Sequence, residues 1–322
     1  MRICVVGGAG YVGTTLVPRL LKHHQVTVLD TFWYGDYLGD HPKLKKICGD
    51  IRDRDYLDAA FKNQDAVIHL ACVSNDPSFD LHPTLGKEIN YDCFKSMLEA
   101  INEAEVNRFI YASSSSVYGV KEGDVTEDVS CDPLTDYSKF KLACEHELED
   151  VGTGGCWTIV RPATVCGYSP RMRFDLIVNI LARDAIFNKK ITVHGGSQLR
   201  PNIHVKDMAR VYESILDAPE KLVHKKIYNA GGGNYSLEQI AYLVKAALGD
   251  EEIKVIFEES KDPRSYHINS ELIEKDLNFL PLRSILGAVA SIRDAVNFGL
   301  LTDPLNNTDY INIKKMQELR LS

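Results

Sequence analysis

The chain has 322 residues, 44% of them hydrophobic and 25% charged, about two domain-equivalents at roughly 150 residues each with ordinary globular composition. Its 37 Lys and Arg against 45 Asp and Glu give a net charge of −8. No block of like charge forms a tail, so binding to nucleic acid by bulk electrostatics is excluded, whereas a phosphorylated small molecule still fits if a few cations or backbone N–H groups gather at one place.

The N-terminal Ile3–Val6 run reaches Gly7 after four apolar residues, too few for a secretory h-region, and no later stretch approaches a membrane span. A cytoplasmic protein with no membrane partner is expected. Cys4, Cys48, Cys72, Cys93, Cys131, Cys144, Cys156 and Cys166 are scattered singly, which reads as free thiols in a reducing compartment with no metal site.

In chain order, Ile3–Val6 predicts a strand, Val12–Lys22 a helix, Val26–Asp30 and Leu44–Cys48 strands, Tyr56–Lys62 a helix, Val67–Ala71 a strand, Pro83–Asn102 one long helix and Phe109–Ser113 a strand. Helices at Leu134–Asp150 and Asp175–Phe187 flank a buried strand at Trp157–Arg161, and helical spacing returns at Lys206–Leu216, Leu237–Leu248 and Leu286–Phe298. Near-continuous apolar strands alternating with helices predict an α/β fold, a doubly wound parallel Rossmann-type sheet over residues 1–166. A smaller C-terminal α/β lobe follows over 167–322, with segments near 204–230 returning to the sheet. The tail after Leu301 carries a polar, helix-compatible end.

Directly after the first strand, Gly7-Gly8-Ala9-Gly10-Tyr11-Val12-Gly13 places glycines at i, i+3 and i+6 and opens a helix, the arrangement that binds a pyrophosphate on free N–H groups. Strand two ends in Asp30, where a carboxylate would hold the adenosine ribose and repel a 2′-phosphate; Thr31-Phe32-Trp33 offers no Arg, so NAD is favoured over NADP. Asp50, followed by Ile51, is either an acceptor for the adenine amino group or a helix N-cap. Tyr137 and Lys141 lie four apart on one helix face, and the run Ser113–Ser116 ends the fifth strand, where open α/β sheets bind ligands.

Taken together, Gly7/Gly10/Gly13, Asp30, Asp50, His69-Leu70-Ala71, the serine run before Val117-Tyr118-Gly119, and Tyr137/Lys141 resemble the extended short-chain dehydrogenase/reductases. Arg161-Pro162, Arg200–Asp207, Tyr228–Gly231 and Asp262-Pro263-Arg264 resemble the group that modifies nucleotide-linked sugars. The resemblance implies NAD held by Gly7, Gly10, Tyr11, Val12, Gly13, Asp30, Asp50, Ile51, Leu70, Ala71, Tyr137 and Lys141. It implies Ser114, Tyr137 and Lys141 as the catalytic set: Ser114 bonds the reacting sugar hydroxyl and Tyr137 removes its proton. A free Tyr titrates near ~10, so working near neutrality asks for a downward shift of roughly three units, about 4 kcal/mol.

Relatives that dehydrate carry Asp and Glu after the catalytic Ser or Thr; Ser115 and Ser116 stand there in this chain and cannot ionise usefully. The expectation is C4 epimerisation through a 4-keto sugar. The alternatives are a nucleotide-sugar 4-dehydrogenase or 4-keto reductase, a 4,6-dehydratase, and, in another class, a non-catalytic NAD sensor. Arg200 and Arg264 match positions that grip the nucleotide diphosphate in relatives, and the resemblance implies Ser115 among the substrate-binding residues. Asp175 and Thr164 stand where relatives often have a substrate-contacting Asn. The basic cluster Arg171-Met172-Arg173 either adds phosphate contacts or flanks a solvated helix start. The resemblance also implies a homodimer formed through the helices at Pro83–Asn102 and Leu134–Asp150.

Overall fold

The computed structural model describes residues 1–259, 265 and 267–321. Its strands are β1 (Arg2–Val6), β2 (Gln25–Asp30), β3 (Leu44–Cys48), β4 (Ala66–His69), β5 (Arg108–Ala112), β6 (Cys156–Pro162), β7 (Thr164–Cys166), β8 (Lys190–His194), β9 (Leu199–His204), β10 (Lys226–Ala230), β11 (Gly233–Ser236) and β12 (Lys254–Glu258). The large sheet runs β10-β6-β5-β4-β1-β2-β3, and every neighbouring pair in it is parallel. β10 closes the sheet beside β6, so the chain returns from the lobe to the sheet edge.

Alternation along β1 divides the core. Ile3 and Val5 join Leu16, Val17 and Leu20 of the helix Gly13–Leu20 and Met208, Val211 and Ile215 of the helix Val205–Asp217 on one face. Cys4 and Val6 join Leu57 and Phe61 of the helix Arg54–Phe61 and Met97, Leu98 and Ile101 of the helix Phe94–Glu103 on the other. Each such side chain contributes about 1.5–3 kcal/mol on burial, and this two-sided coverage fixes where the strand ends emerge.

The long helix expected over Pro83–Asn102 is instead three pieces: an α-helix at Pro83–Lys87, a π-helical turn at Glu88–Asp92 and the α-helix Phe94–Glu103. The extra residue in the wide turn rotates Asn90 inward, where it accepts from Val73 N at 2.8 Å and donates to Val73 O at 3.0 Å. The helix register yields to the need to satisfy the loop after β4.

A third core holds the lobe together, with Val178, Leu181 and Ala182 of the helix Ile177–Asn188, Ile240 and Val244 of Leu237–Leu248, and Val289 and Ile292 of Ile285–Asn297. Two small sheets, β11-β9-β7 and β12-β8, complete it. No helix among the described residues is long and apolar enough to cross a membrane, and among them no group of three His, Cys, Asp or Glu is placed to hold a metal.

Candidate cofactor and substrate cleft

Chain order reverses between β1 and β4, and at the carboxyl ends of these strands a cleft of about 860 Å³ opens between sheet and lobe. This is the switch point at which open α/β sheets take ligands. The glycine loop forms one wall. Gly7 donates to Leu29 O at 2.8 Å and has φ +79°, and a Cβ placed on it would lie 2.5 Å from Ala71 N. A Cβ on Gly13 would lie 2.4 Å from Gly8 O. The helix Gly13–Leu20 begins with no side-chain cap; Thr14 N and Leu16 N already donate to Gly10 O and Val12 O, both at 2.9 Å, so it is the glycine loop ahead of the helix that presents backbone N–H groups to a ligand. Gly10, Tyr11, Val12, Asp50, Ile51, Leu70 and Ala71 line the same wall.

Asp30 accepts from Ala9 N and Phe32 N, both at 2.9 Å. Burial pushes its carboxyl upward, while those two N–H groups and the charge of Arg171 pull it back. A bare cradle that only glycine permits, with a carboxylate at the end of β2, fits an adenine dinucleotide. Asp50 is not the helix N-cap: Asp53 takes that role by accepting from Asp55 N at 3.0 Å, and Asp50 instead pairs with Arg52 at 2.8 Å. Gly7→Ala is expected to weaken dinucleotide binding at least 10-fold by titration calorimetry, since a side chain at this φ is strained and strikes the backbone; unchanged affinity contradicts the cradle.

On the opposite wall, Ser114 follows β5 and caps the 3₁₀ turn Ser115–Tyr118, accepting from Ser116 N at 3.1 Å. The helix Asp136–Val151 starts in a capping box of Thr135 and Ser138, which points Tyr137, in its first turn, into the cleft beside Ser114. Burial holds the Tyr137 phenol well above its ordinary pKa, the nearby Cys72 and Asp76 add to this, and a hydrogen bond with Ser114 opposes it. Lys141 sits one turn further on, buried, with Nζ donating to Ala112 O at 2.7 Å and 5.0 Å above the Tyr111 ring. Its contacts are thus with the strand end behind Tyr137.

Glu145, one more turn along, receives Ser113 Oγ–H and the Nε and Nη2 donors of Arg161, with Nη2 at 2.6 Å from Oε2. Arg161 also donates to the Tyr118 hydroxyl at 2.9 Å, which donates to Asn229 Oδ1 at 2.8 Å. This buried network locks the end of β5 to the Tyr137 helix.

Toward the lobe, Ser115, Thr164, Asp175 and Arg200 line the cleft. Asp175 is engaged within the protein: Arg173 grips it at 2.9 Å on both oxygens and Asn75 Nδ2 donates at 3.1 Å. Burial pushes its carboxyl up, but the Arg173 charge and hydrogen bonds carry it below the ordinary value. Arg200 Nη1 donates to Leu199 O at 2.9 Å. Arg264 lies outside the described residues. The Arg171-Met172-Arg173 cluster is no solvated helix start; all three residues are buried, because the segment packs down onto the glycine loop.

With this geometry in place, the family description "NAD dependent epimerase/dehydratase family" matches residues 3–231. The chain belongs to this family. A UDP-glucose 4-epimerase of Lactobacillus helveticus is 29% identical over 271 residues, 77% of this chain and 82% of that one. A dTDP-glucose 4,6-dehydratase of Streptomyces niveus is 26% identical over 307 residues, 87% and 88% of the two chains. Among solved structures, UDP-glucuronic acid 4-epimerase from Bacillus cereus, in complex with UDP-glucuronic acid and NAD, superposes with a TM-score of 0.83 at 26% identity, covering 92% of this chain and 99% of that one.

In this member of the epimerase/dehydratase family, several cleft residues escape sequence reasoning. Asp76 lines the cleft and receives the Thr135 hydroxyl at 2.6 Å, so a carboxylate is anchored to the cap of the Tyr137 helix. It follows Asn75, whose φ of +76° with ψ 155° is a rare conformation for a side-chain-bearing residue. Asn312, which opens the C-terminal helix Asn312–Leu319, also reaches the cleft. The Asn-Asp-Pro step is the one local signal that could have pointed to Asp76; nothing local marks Asn312.

Proposed function

We propose that this protein epimerises a nucleotide-diphosphate sugar at C4 through a 4-keto sugar, with NAD as its cofactor. The observation that carries the reading is the convergence of Ser114 and Tyr137 in one cleft with the glycine loop and Asp30. NAD supplies, when bound, the acceptor and later the donor of the hydride. Ser114 hydrogen-bonds the C4 oxygen and Tyr137 takes its proton as the C4–H bond breaks. Lys141, one turn away, favours the phenolate through space. Tyr137 returns the proton when hydride is restored to the other face of the sugar. Arg200, Thr164 and Ser115 are the substrate contacts in this scheme. The reading extends to a cytoplasmic location and, by likeness to the family, to a homodimer, whose assembly sedimentation checks directly.

One observation favours a second reading. Asp76 brings into the cleft the ionisable carboxylate that positions 115 and 116 lack, and a carboxylate beside a 4-keto sugar can remove the acidic proton next to the ketone, the first step of dehydration. Incubation with UDP-, GDP-, CDP- and dTDP-sugars, followed by mass and NADH absorbance, separates these chemistries. Epimerisation gives a product of unchanged mass. A product lighter by two hydrogens establishes a dehydrogenase, and one lighter by water establishes dehydration. In that last case Asp76→Asn is expected to lower turnover by about 10²-fold or more; under the epimerase reading it leaves the hydride steps within about 10-fold.

A further inference from the structure

The function proposed above leaves Arg171 without a task, although its position is unusual. Its side chain is almost fully buried and lines the cleft, yet among the described residues its guanidinium meets one hydrogen-bond acceptor, the neutral Asn312 Oδ1, at 2.5 Å. Nε has no partner there. The guanidinium carbon lies over the Tyr34 ring, 4.1 Å from its centroid. Burial and the like charge of Arg173 push its pKa down to about 10, which still leaves it charged near neutrality. Of the two carboxylates that share its electrostatic surroundings, Asp175 is already taken on both oxygens by Arg173, and Asp30 accepts from Ala9 N and Phe32 N. A buried cation that meets only a neutral acceptor is costly, and its complement is an anion held in the cleft that the Arg171 side chain lines.

The surroundings of Arg171 identify that anion. Ser169 Oγ bonds Thr14 Oγ1 and Thr15 Oγ1, each at 2.8 Å, and donates to Tyr11 O at 2.7 Å. Arg171 N donates to Thr14 Oγ1 at 3.3 Å, and the Tyr11 hydroxyl donates to Gly167 O at 2.5 Å. The segment 167–171 is thereby stitched to the glycine loop and first helical turn, while Tyr34 fixes the guanidinium from the loop after β2. We propose that Arg171 is a diphosphate-binding residue for the dinucleotide, supplied from the lobe across the cleft to the uncapped N-terminus of the first helix. The inference rests on the dinucleotide reading of the cleft.

Titration calorimetry with ADP-ribose, adenosine, NAD and NADP tests it. Arg171→Met is expected to lower affinity for ADP-ribose and NAD roughly 10–100-fold, the scale of a lost charge-assisted pair, and to leave adenosine binding unchanged. Arg171→Lys, which keeps the charge and guards against a folding defect, is expected to fall between the two. Unchanged NAD and ADP-ribose affinity in both variants overturns the inference alone. Loss confined to NADP places the guanidinium at the ribose 2′ position instead and also overturns it. No binding of NAD or ADP-ribose to the unaltered protein overturns the dinucleotide reading and the inference with it.

Discussion

Tyr137→Phe is expected to lower turnover by about 10³-fold, within the 10²–10⁴ range for removing a general base, while leaving the protein folded. The phenol sits in the first turn of a helix whose capping box involves Thr135 and Ser138, so removing its oxygen disturbs no cap. The hydrogen bond to Ser114 is the contact that is lost. Because burial holds the phenol protonated and a base must first be ionised, turnover of the unaltered protein should rise with pH across about pH 6 to 9. The Phe variant should lose that rising limb. Steady-state rates over that range in both proteins check it, and a flat profile in the unaltered protein contradicts the role.

Glu145→Ala is expected to destabilise the fold by about 3–5 kcal/mol, read from denaturant unfolding, because it strands a buried guanidinium. The side chains of Glu145 and Arg161 are 1% and 5% exposed, so water cannot replace the lost partner. Replacing both by Met should cost less than the single change, since the desolvation of both charges is then avoided. A double variant as unstable as the single one would mean that packing, not charge, holds this strand end. Activity should fall in the single variant beyond its loss of folded protein, as Ser113 and the neighbouring Ser114 lose their tether to the Tyr137 helix.

The legible part of this molecule is the part governed by local periodicity. β1, β2, β4, β5 and β6 were visible because strands covered on both faces must be largely apolar, whereas the edge strand β3 carries Lys45 and Lys46 and is half-exposed; the glycine loop was visible because only glycine can make that turn. Tyr137 and Lys141 were visible because helical spacing alone puts them on one face. Less legible was anything decided by a distant partner. The π-turn at Glu88–Asp92 depends on Asn90 meeting Val73, 17 residues earlier in the chain. For Arg171 the sequence leaves phosphate contact and the flank of a solvated helix start equally open, because its burial comes from Tyr34 and the Thr14 turn rather than from its neighbours in sequence. Asn312, in a polar tail, reaches the cleft only because the last helix starts against Ser74 and Asp175, far away in the chain. The edge strands β8 and β12 pair with each other through short, half-exposed segments, whose pattern alone cannot separate strand from loop.

In the proposed epimerisation a hydride leaves and re-enters the sugar at C4 within this cleft. The most direct measurement follows a deuterium placed at C4 of the nucleotide sugar that the panel shows to be turned over, using protein loaded with NAD. The label is expected to pass transiently to the nicotinamide and to return to C4 in the epimer, with none lost to water. Product formed while the label never leaves C4, or label exchanged into solvent, would contradict it.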